Sequence, residues 1–259
     1  MSRRPTAAIE LRLGAAGVEA RGPGPRSART DRAVTADIPP AELQAAVAEV
    51  LAGVLGQAGA PPRGGWQAHV VLDDPLCWLD VVQGDFASQP ERVVRTMMQA
   101  CAGEIFGKDA AAQALRWHLQ ADGRHALLLA VHESLVRAVH DGLAQHQATL
   151  ARMEPAFARA WNAAAATVEL RDGVVAWLHA GQGIFVHLRR GSMAALGREA
   201  VDGSPGTLNQ SAQRLLARHG NALDERTGRV VLTEAPMDAH RFAPWRVHRI
   251  GLLTEGATA

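Results

Sequence analysis

The side chains that could do chemistry begin with a carboxylate pair, Asp73-Asp74, which stands directly before Pro75. Two adjacent carboxylates could bind a metal ion, or could act as a general acid and base. Aspartate is also a residue that turns prefer, and proline follows this pair. We favour the turn, and the sequence therefore predicts neither a catalytic nor a metal-binding role for the pair.

Two further segments resemble parts of known sites, but neither is complete. His132-Glu133 begins like a zinc-protease helix, yet Val136 stands where the second histidine ligand is required. Gly181 and Gly183 lie between two predicted strands, whereas a dinucleotide-binding loop runs from a strand into a helix. We therefore predict no catalytic residue and no metal site in this chain.

Composition narrows the classes of partner. The chain has 259 residues, with 27 basic and 26 acidic side chains and a net charge of +1. This balance predicts no strong field that would attract nucleic acid or an acidic membrane surface. The longest apolar run, residues 126–131, is far shorter than the roughly 20 residues that cross a bilayer. Two cysteines in unlike surroundings indicate a reducing compartment.

Periodicity in the first half predicts strands alternating with helices. Ile9, Leu11 and Leu13 alternate with charged residues, as in a half-buried strand. Apolar residues at helical spacing predict helices that begin near residues 40, 91 and 133, the second with a capping box from Ser88 to Glu91. Residues 69–72 and 78–82 are predicted to form a strand pair, and Asp-Gly at 122–123 predicts a hairpin. Residues 22–39 are interpreted as a flexible loop.

The second half repeats this order of elements. A three-stranded meander is predicted over residues 167–170, 174–179 and 184–188, with Asp172-Gly173 as its first turn. A helix over 208–218 and strands over 229–232 and 247–253 follow. The repetition predicts an α/β protein of two lobes, residues 1–158 and 159–259.

In this order of elements, the chain resembles the actin-like proteins of bacterial pilus and secretion machines, namely the PilM-type proteins and the cytoplasmic part of the GspL-type proteins. The resemblance rests on residues 9–18, on 69–74 followed by Trp78, on 125–143, on 153–155 with Trp161-Asn162, and on the meander that ends at residues 188–191. It implies a two-lobed actin-like (RNase H-like) fold, reduced in size, with a nucleotide site between the lobes.

The resemblance also implies where nucleotide would bind. The first strand of actin-like ATPases carries Asp-x-Gly, which positions metal and phosphate, and the corresponding residues here are Arg12-Leu13-Gly14. Gly14 and Ala15 are therefore the first candidates for nucleotide binding, and Asp172 and Gly173 are the candidates in the second lobe. Because arginine replaces the acid, metal-assisted hydrolysis is not expected. ATP with magnesium is the cofactor that the family implies, and we expect none.

The resulting hypothesis is a non-catalytic, cytoplasmic scaffold or adaptor of a type IV pilus or type II-like secretion platform. It would associate with the inner membrane through a partner, whose cytoplasmic tail it binds in a groove or at an exposed sheet edge. One alternative is an ATP-binding protein or weak ATPase of the same fold, and another is an unrelated α/β binding module. Nucleic acid and direct membrane insertion are not expected, and the sequence leaves homodimerisation open.

Overall fold

The computed structural model describes residues 8–23, 25–56, 62, 65–165 and 168–251. Within these residues the chain forms three β-sheets and five α-helices. The strands are β1 (Ala8–Gly14), β2 (Gly17–Arg21), β3 (Ser27–Thr30), β4 (Trp66–Leu72), β5 (Cys77–Gln83), β6 (Gln113–Leu119), β7 (His125–His132), β8 (Ala148–Pro155), β9 (Gly173–His179), β10 (Gln182–Arg189), β11 (Ser192–Ala200), β12 (Gly228–Thr233) and β13 (Arg246–Arg249). The helices are α1 (Pro40–Leu55), α2 (Glu91–Phe106), α3 (Glu133–Ala144), α4 (Ala156–Ala164) and α5 (Pro205–Arg218).

The first sheet has the order β3-β2-β1-β4-β8. Strands β1, β2 and β3 are antiparallel, whereas β4 and β8 run parallel to β1. The alternation predicted for β1 is confirmed, because Ile9, Leu11 and Leu13 are all fully buried. Their side chains pack with the apolar faces of α1 and α3, which cover this sheet.

The second sheet has the order β11-β10-β9-β12-β13. Its first three strands are antiparallel, and its last two run parallel to β9. If the strands of each sheet are numbered in chain order, both sheets have the order 3-2-1-4-5. Helix α5 covers one face of the sheet and α4 packs on the other. The two sheets therefore repeat one topology.

A third sheet, β5-β7-β6, carries α2 on one face. The predicted hairpin at Asp122-Gly123 is confirmed as the β6–β7 connection, and Gly123 has the positive φ of 64° that such a connection favours. Helix α2 packs on Leu128 and on neighbouring apolar residues of β5 and β7 through Val94 and Met98. Strand β5 also lies against β11 of the second sheet.

Three predictions for the first half are wrong. Strands β4 and β5 do not pair, because a short 3-10 helix, Asp74–Leu76, redirects the chain from the first sheet into the third. The segment 22–39, interpreted as a flexible loop, contains strand β3, which pairs with β2. The predicted capping box is also not formed: Pro90 is the N-cap of α2, and no side chain caps this helix.

The predicted meander is displaced by one strand. Residues 168–170 form no strand, residues 166–167 lie outside the described part of the chain, and the meander is β9-β10-β11. Strand β11 was missed because Ser192–Ala200 begins with four consecutive buried residues and so lacks alternation. Helix α4 was missed because alanine at five of its nine positions leaves little apolar periodicity. Of the last predicted strand, residues 252–253 lie outside the described residues.

The division into two lobes at 158/159 stays a prediction. The first and third sheets come from residues before this point, and the second sheet comes from residues after it. The proposed boundary falls within α4, which follows directly on β8. This helix packs on the second sheet and on Val71 of the first, so the boundary passes through a helix that contacts both sheets.

Two helix glycines should respond in opposite directions to the same substitution. A Cβ atom at Gly142 of α3 would lie 2.8 Å from Val47 Cγ1 and 3.0 Å from the carbonyl oxygen of Gln44, at the crossing with α1. We expect Gly142→Ala to lower the free energy of unfolding by about 1–3 kcal/mol, because the crossing must open. The measurement is urea denaturation.

The matched control is Gly103→Ala in α2, where nothing lies within 4 Å of the added Cβ. It should raise the free energy of unfolding by up to about 1 kcal/mol, because alanine is the better helix former. Equal effects of the two substitutions would contradict the close α1–α3 crossing.

Candidate functional site

Four charged side chains meet where the first and second sheets face each other, and we call them the ion cluster: Arg12, Asp73, His179 and Glu234. Arg12 lies on β1 and Asp73 directly follows β4. His179 ends β9 and Glu234 directly follows β12. The first sheet therefore supplies one residue of β1 and the residue after the parallel strand β4. The second sheet supplies one residue of β9 and the residue after the parallel strand β12.

Strand register shows that the two halves of the ion cluster are related. Leu13 of β1 pairs with Leu72, and Asp73 comes next; Leu178 of β9 pairs with Thr233, and Glu234 comes next. Asp73 and Glu234 are thus equivalent positions of the repeated topology. The hairpin registers likewise make Gly14 and His179 equivalent, since each is the last paired residue before a two-residue turn.

The ion cluster is compact. Arg12 Nε lies 3.0 Å from Asp73 Oδ1, and Arg12 Nη2 lies 3.0 Å from Glu234 Oε2. His179 lies between the same carboxylates, with Nε2 3.2 Å from Asp73 Oδ1 and Nδ1 3.0 Å from Glu234 Oε2. Arg12 Nη2 is also only 2.6 Å from His179 Nε2. Two cations and two carboxylates make a neutral set when His179 is protonated.

The surroundings favour the charged forms of His179 and Asp73. Burial opposes the protonated ring of His179, but hydrogen bonds to Asp73 and Glu234 outweigh it and raise the pKa of His179 to about 9. Burial likewise opposes the Asp73 carboxylate, but the hydrogen bond from His179 and the charge of Arg12 keep the pKa of Asp73 below its ordinary value. Near neutral pH the two carboxylates thus favour the imidazolium form of His179, against the opposing charge of Arg12.

The neighbouring carboxylate, Asp74, forms a second link between sheets. It is 2% exposed, accepts a hydrogen bond from the backbone N–H of Phe157 at 2.9 Å, and accepts another from Trp177 Nε1 at 2.8 Å. Burial raises the pKa of Asp74, although both hydrogen bonds oppose this shift. The Trp177 ring stacks on His179 with centroids 5.7 Å apart. The predicted turn at 73–74 is present, and both of its carboxylates contact the second half of the chain.

Of the predicted nucleotide-binding residues, Gly14 lies beside the ion cluster. A Cβ atom at Gly14 would stand 1.7 Å from Asp73 Oδ2, so the aspartate side chain fills the space that this glycine leaves. A cavity of about 140 Å³ adjoins Gly14 and is also lined by His179 of β9 and by Ala180 of the turn that follows it. Ala15 is an exposed residue of the turn that follows Gly14.

The structure does not bring Asp172 and Gly173 to Gly14. They lie at the start of β9, whereas His179, at its other end, is the residue beside Gly14. Asp172 Oδ1 accepts a hydrogen bond from the backbone N–H of Arg190. Gly173 has a positive φ of 144°, and a Cβ atom there would lie 2.2 Å from the carbonyl oxygen of Gly228. The turn that faces Gly14 is the one after His179. No spacing in the sequence marks His179 or Glu234, because only tertiary register brings them to Arg12.

The residues present do not fit a magnesium–nucleotide complex. The carboxylate nearest Gly14, that of Asp73, is bound by Arg12 and His179, so its lone pairs are directed at protein cations. The adjoining cavity of about 140 Å³ is small beside the roughly 300–1,000 Å³ of typical ligand sites. Within the described ranges, no group of three or more His, Cys, Asp or Glu side chains is arranged to hold a metal ion.

Comparison with known proteins establishes the fold. No protein-family model matches the chain, and no curated protein matches it. A PilM–PilN type IV pilus biogenesis complex is similar in structure, with a TM-score of 0.60 at 13% identity over 87% of this chain and 80% of that one. The cytoplasmic domain of EpsL, an inner membrane component of the type II secretion system of Vibrio cholerae, gives 0.54 at 15% identity over 95% and 90%.

A Bacteroides thetaiotaomicron protein with an actin-like ATPase fold and unknown function gives a TM-score of 0.57 at 7% identity, over 94% of this chain and 91% of that one. The fold of this chain is therefore actin-like, and the resemblance inferred from the sequence is confirmed at the level of fold. Among the described residues, no helix is both long and apolar enough to cross a membrane.

The raised pKa of His179 predicts a pH-dependent stability. Because the folded-state pKa of about 9 exceeds the ordinary value of 6.5, the stabilisation is complete below about pH 6.5 and is lost as pH rises through 9. The free energy of unfolding should fall over this interval by about 1–2 kcal/mol, allowing for solvent screening. Urea denaturation between pH 6 and 9.5 measures it.

His179→Gln should remove most of this dependence. His140→Gln, at an exposed position of α3, is the matched control for the loss of a histidine. A His179→Gln protein that loses as much stability as the wild type over this range would contradict the assignment.

Proposed function

We propose that this chain is a non-catalytic, actin-like scaffold of a type IV pilus or type II-like secretion assembly platform. It acts at the cytoplasmic face of the inner membrane, where it binds the cytoplasmic tail of a membrane partner. The observation that carries the non-catalytic part of this proposal is the ion cluster, which stands where the resemblance puts metal and phosphate.

Three features of the ion cluster support a role without catalysis. Arg12 occupies the position of the acid that actin-like ATPases use, and it is paired with Asp73 and Glu234. The Asp73 carboxylate fills the space over Gly14 that a phosphate would require. The equivalent position in the second sheet carries His179, whose side chain closes the cleft further.

The proposed scaffold role is supported by two of the solved structures that share the fold. One contains PilM together with PilN, and the other is a cytoplasmic domain of an inner membrane component. The first is a type IV pilus biogenesis complex and the second comes from a type II secretion system, and this chain covers 80% and 90% of those chains. We extend to this chain the same kind of platform and a membrane-anchored partner.

The second candidate function is ATP binding with weak hydrolysis in the same cleft. The retained glycine turn after β1 favours it, since Gly14 and Gly17 line the cavity between the sheets. It requires Asp73 to leave Arg12 and His179 so that phosphate can enter.

Titration with labelled ATP and magnesium separates the two functions. We expect no saturable binding up to about 1 mM nucleotide, because a ligand must first disrupt the ion cluster. Tight binding that Gly14→Ala abolishes, and that the control Gly103→Ala leaves intact, would contradict the scaffold proposal.

Binding of a membrane partner is tested with synthetic cytoplasmic tails of inner-membrane pilus or secretion proteins from the same organism. Isothermal titration calorimetry should show saturable one-to-one binding of one of these tails, unaffected by ATP. Failure of every such tail to bind the folded protein would contradict the partner assignment.

A further inference from the structure

The largest cavity whose lining we describe is a groove outside the cleft, and we propose that it binds an extended, acidic peptide segment with an apolar anchor side chain. This rests on the proposed function, since the segment would belong to the membrane partner. The groove runs between the third sheet, α4 and the start of β11, and we call it the α4 groove. Its lining comprises His118, Gln120, Ala121, Leu127, Phe157, Ala158, Trp161, Asn162, Gly191, Ser192 and Met193.

The α4 groove has a fixed shape. Its volume is about 450 Å³, within the range typical of ligand sites. Gln120, directly after β6, ties the third sheet to β11 of the second: its side chain accepts a hydrogen bond from Met193 N–H at 2.6 Å and donates one to Met193 O at 2.8 Å. The two walls therefore cannot separate without breaking both bonds, and little ordering is required on binding.

A smaller apolar chamber adjoins the α4 groove and suits an anchor side chain. It measures about 230 Å³ and shares Trp161 and Gly191 with the groove. Its other walls include Val175, Leu188 and Leu232 of the second sheet. Lined in this way, it matches a Phe or Leu side chain, the kind of buried anchor that dominates peptide binding.

Two arginines without ion-pair partners among the described residues flank the α4 groove. No carboxylate lines it. Arg116 lies two residues before His118 on β6 and so on the same face, and Arg190 directly precedes Gly191. Neither arginine forms an ion pair with any described residue, and both are exposed.

Two carboxylates lie near the groove lining, and each accepts a hydrogen bond from another group of the protein. Asp122 follows Ala121, and its Oδ2 lies 2.6 Å from Nδ1 of His125. Asp172 is the other nearby carboxylate, and its Oδ1 accepts a hydrogen bond from the backbone N–H of Arg190. Neither carboxylate forms an ion pair with the side chain of Arg116 or Arg190, so an acidic segment can pair with these two guanidinium groups.

The position of strand β6 favours an extended conformation of the bound peptide. Among the described residues, β6 pairs only with β7 and so forms an edge of the third sheet. On this strand the carbonyl oxygen of Leu115 accepts a hydrogen bond from Arg116 Nη1 at 2.8 Å. Leu119, at its end, is 38% exposed. An extended segment can pair with such an edge while alternate side chains enter the neighbouring groove.

Fluorescence anisotropy with the full chain tests the inference. The probe is a fluorescein-labelled peptide that alternates Asp-Glu pairs with Phe and Leu. Two control peptides replace either the acids by lysine or the apolar residues by alanine. We expect saturable binding of the acidic probe and at least about tenfold weaker binding of both controls.

A matched pair of variants locates the site. Ala158 lines the groove on α4, and Glu and Gln there have nearly the same size and helix preference. Ala158→Glu should weaken the probe at least about tenfold relative to Ala158→Gln, because it adds a like charge. Arg116→Glu should act in the same direction, whereas Arg92→Glu, exposed on α2 across the third sheet, should have no effect.

Circular dichroism confirms that each variant is folded. Equal affinities of the Ala158→Glu and Ala158→Gln proteins, or no binding of the acidic probe, would overturn the inference. If a partner tail binds both Ala158 variants equally, the proposed function stands and the α4 groove is excluded. If the probe binds as expected but no partner tail does, the groove stands and the proposed partner is wrong.

Discussion

The Asp73 carboxylate is the constraint on which the arrangement of the two repeated sheets depends. It is 5% exposed and stands between Arg12 of its own sheet and His179 of the other. A carboxylate this far from water is stable only with its partners in place, and removal of one partner from a buried pair costs about 3–5 kcal/mol. The next residue, Asp74, accepts a hydrogen bond from Trp177 and so forms a second link between the two sheets. The 3-10 helix after β4 thus fixes how the sheets face each other.

The same interaction connects fold and function. The repeated topology brings two hairpin turns together in a cleft, which is where the resemblance puts phosphate and metal. In this chain the equivalent positions of the two sheets, Asp73 and Glu234, are bound to Arg12 and His179. A cleft closed by its own charges supports the proposed scaffold role, in which partners are recognised on surfaces outside the cleft. The α4 groove is such a surface, with walls from the third and second sheets.

Local patterns allowed much of the fold to be predicted from the sequence. Alternation marked β1, helical spacing marked α1, α2, α3 and α5, and Asp-Gly marked the β6–β7 hairpin. Strand β11 was not predicted, because burial on both faces removes the alternation of apolar and polar residues. The partners of β4 and β5 were predicted wrongly, because strand pairing depends on residues distant in the sequence. Arg12 was recognised as a departure from the ATPase pattern. Its partner Glu234 could not be predicted, because 222 residues separate them and no local rule relates them.

The most direct measurement of this account is a double-mutant cycle between the two halves of the chain, using Asp73→Asn, His179→Gln and the double variant at pH 7. Urea denaturation gives the free energy of unfolding of each protein. If Asp73 and His179 bind each other across the sheets, each single variant is destabilised and the coupling energy is about 1–3 kcal/mol. Effects that add to within about 0.5 kcal/mol would contradict the ion cluster as the link between the sheets.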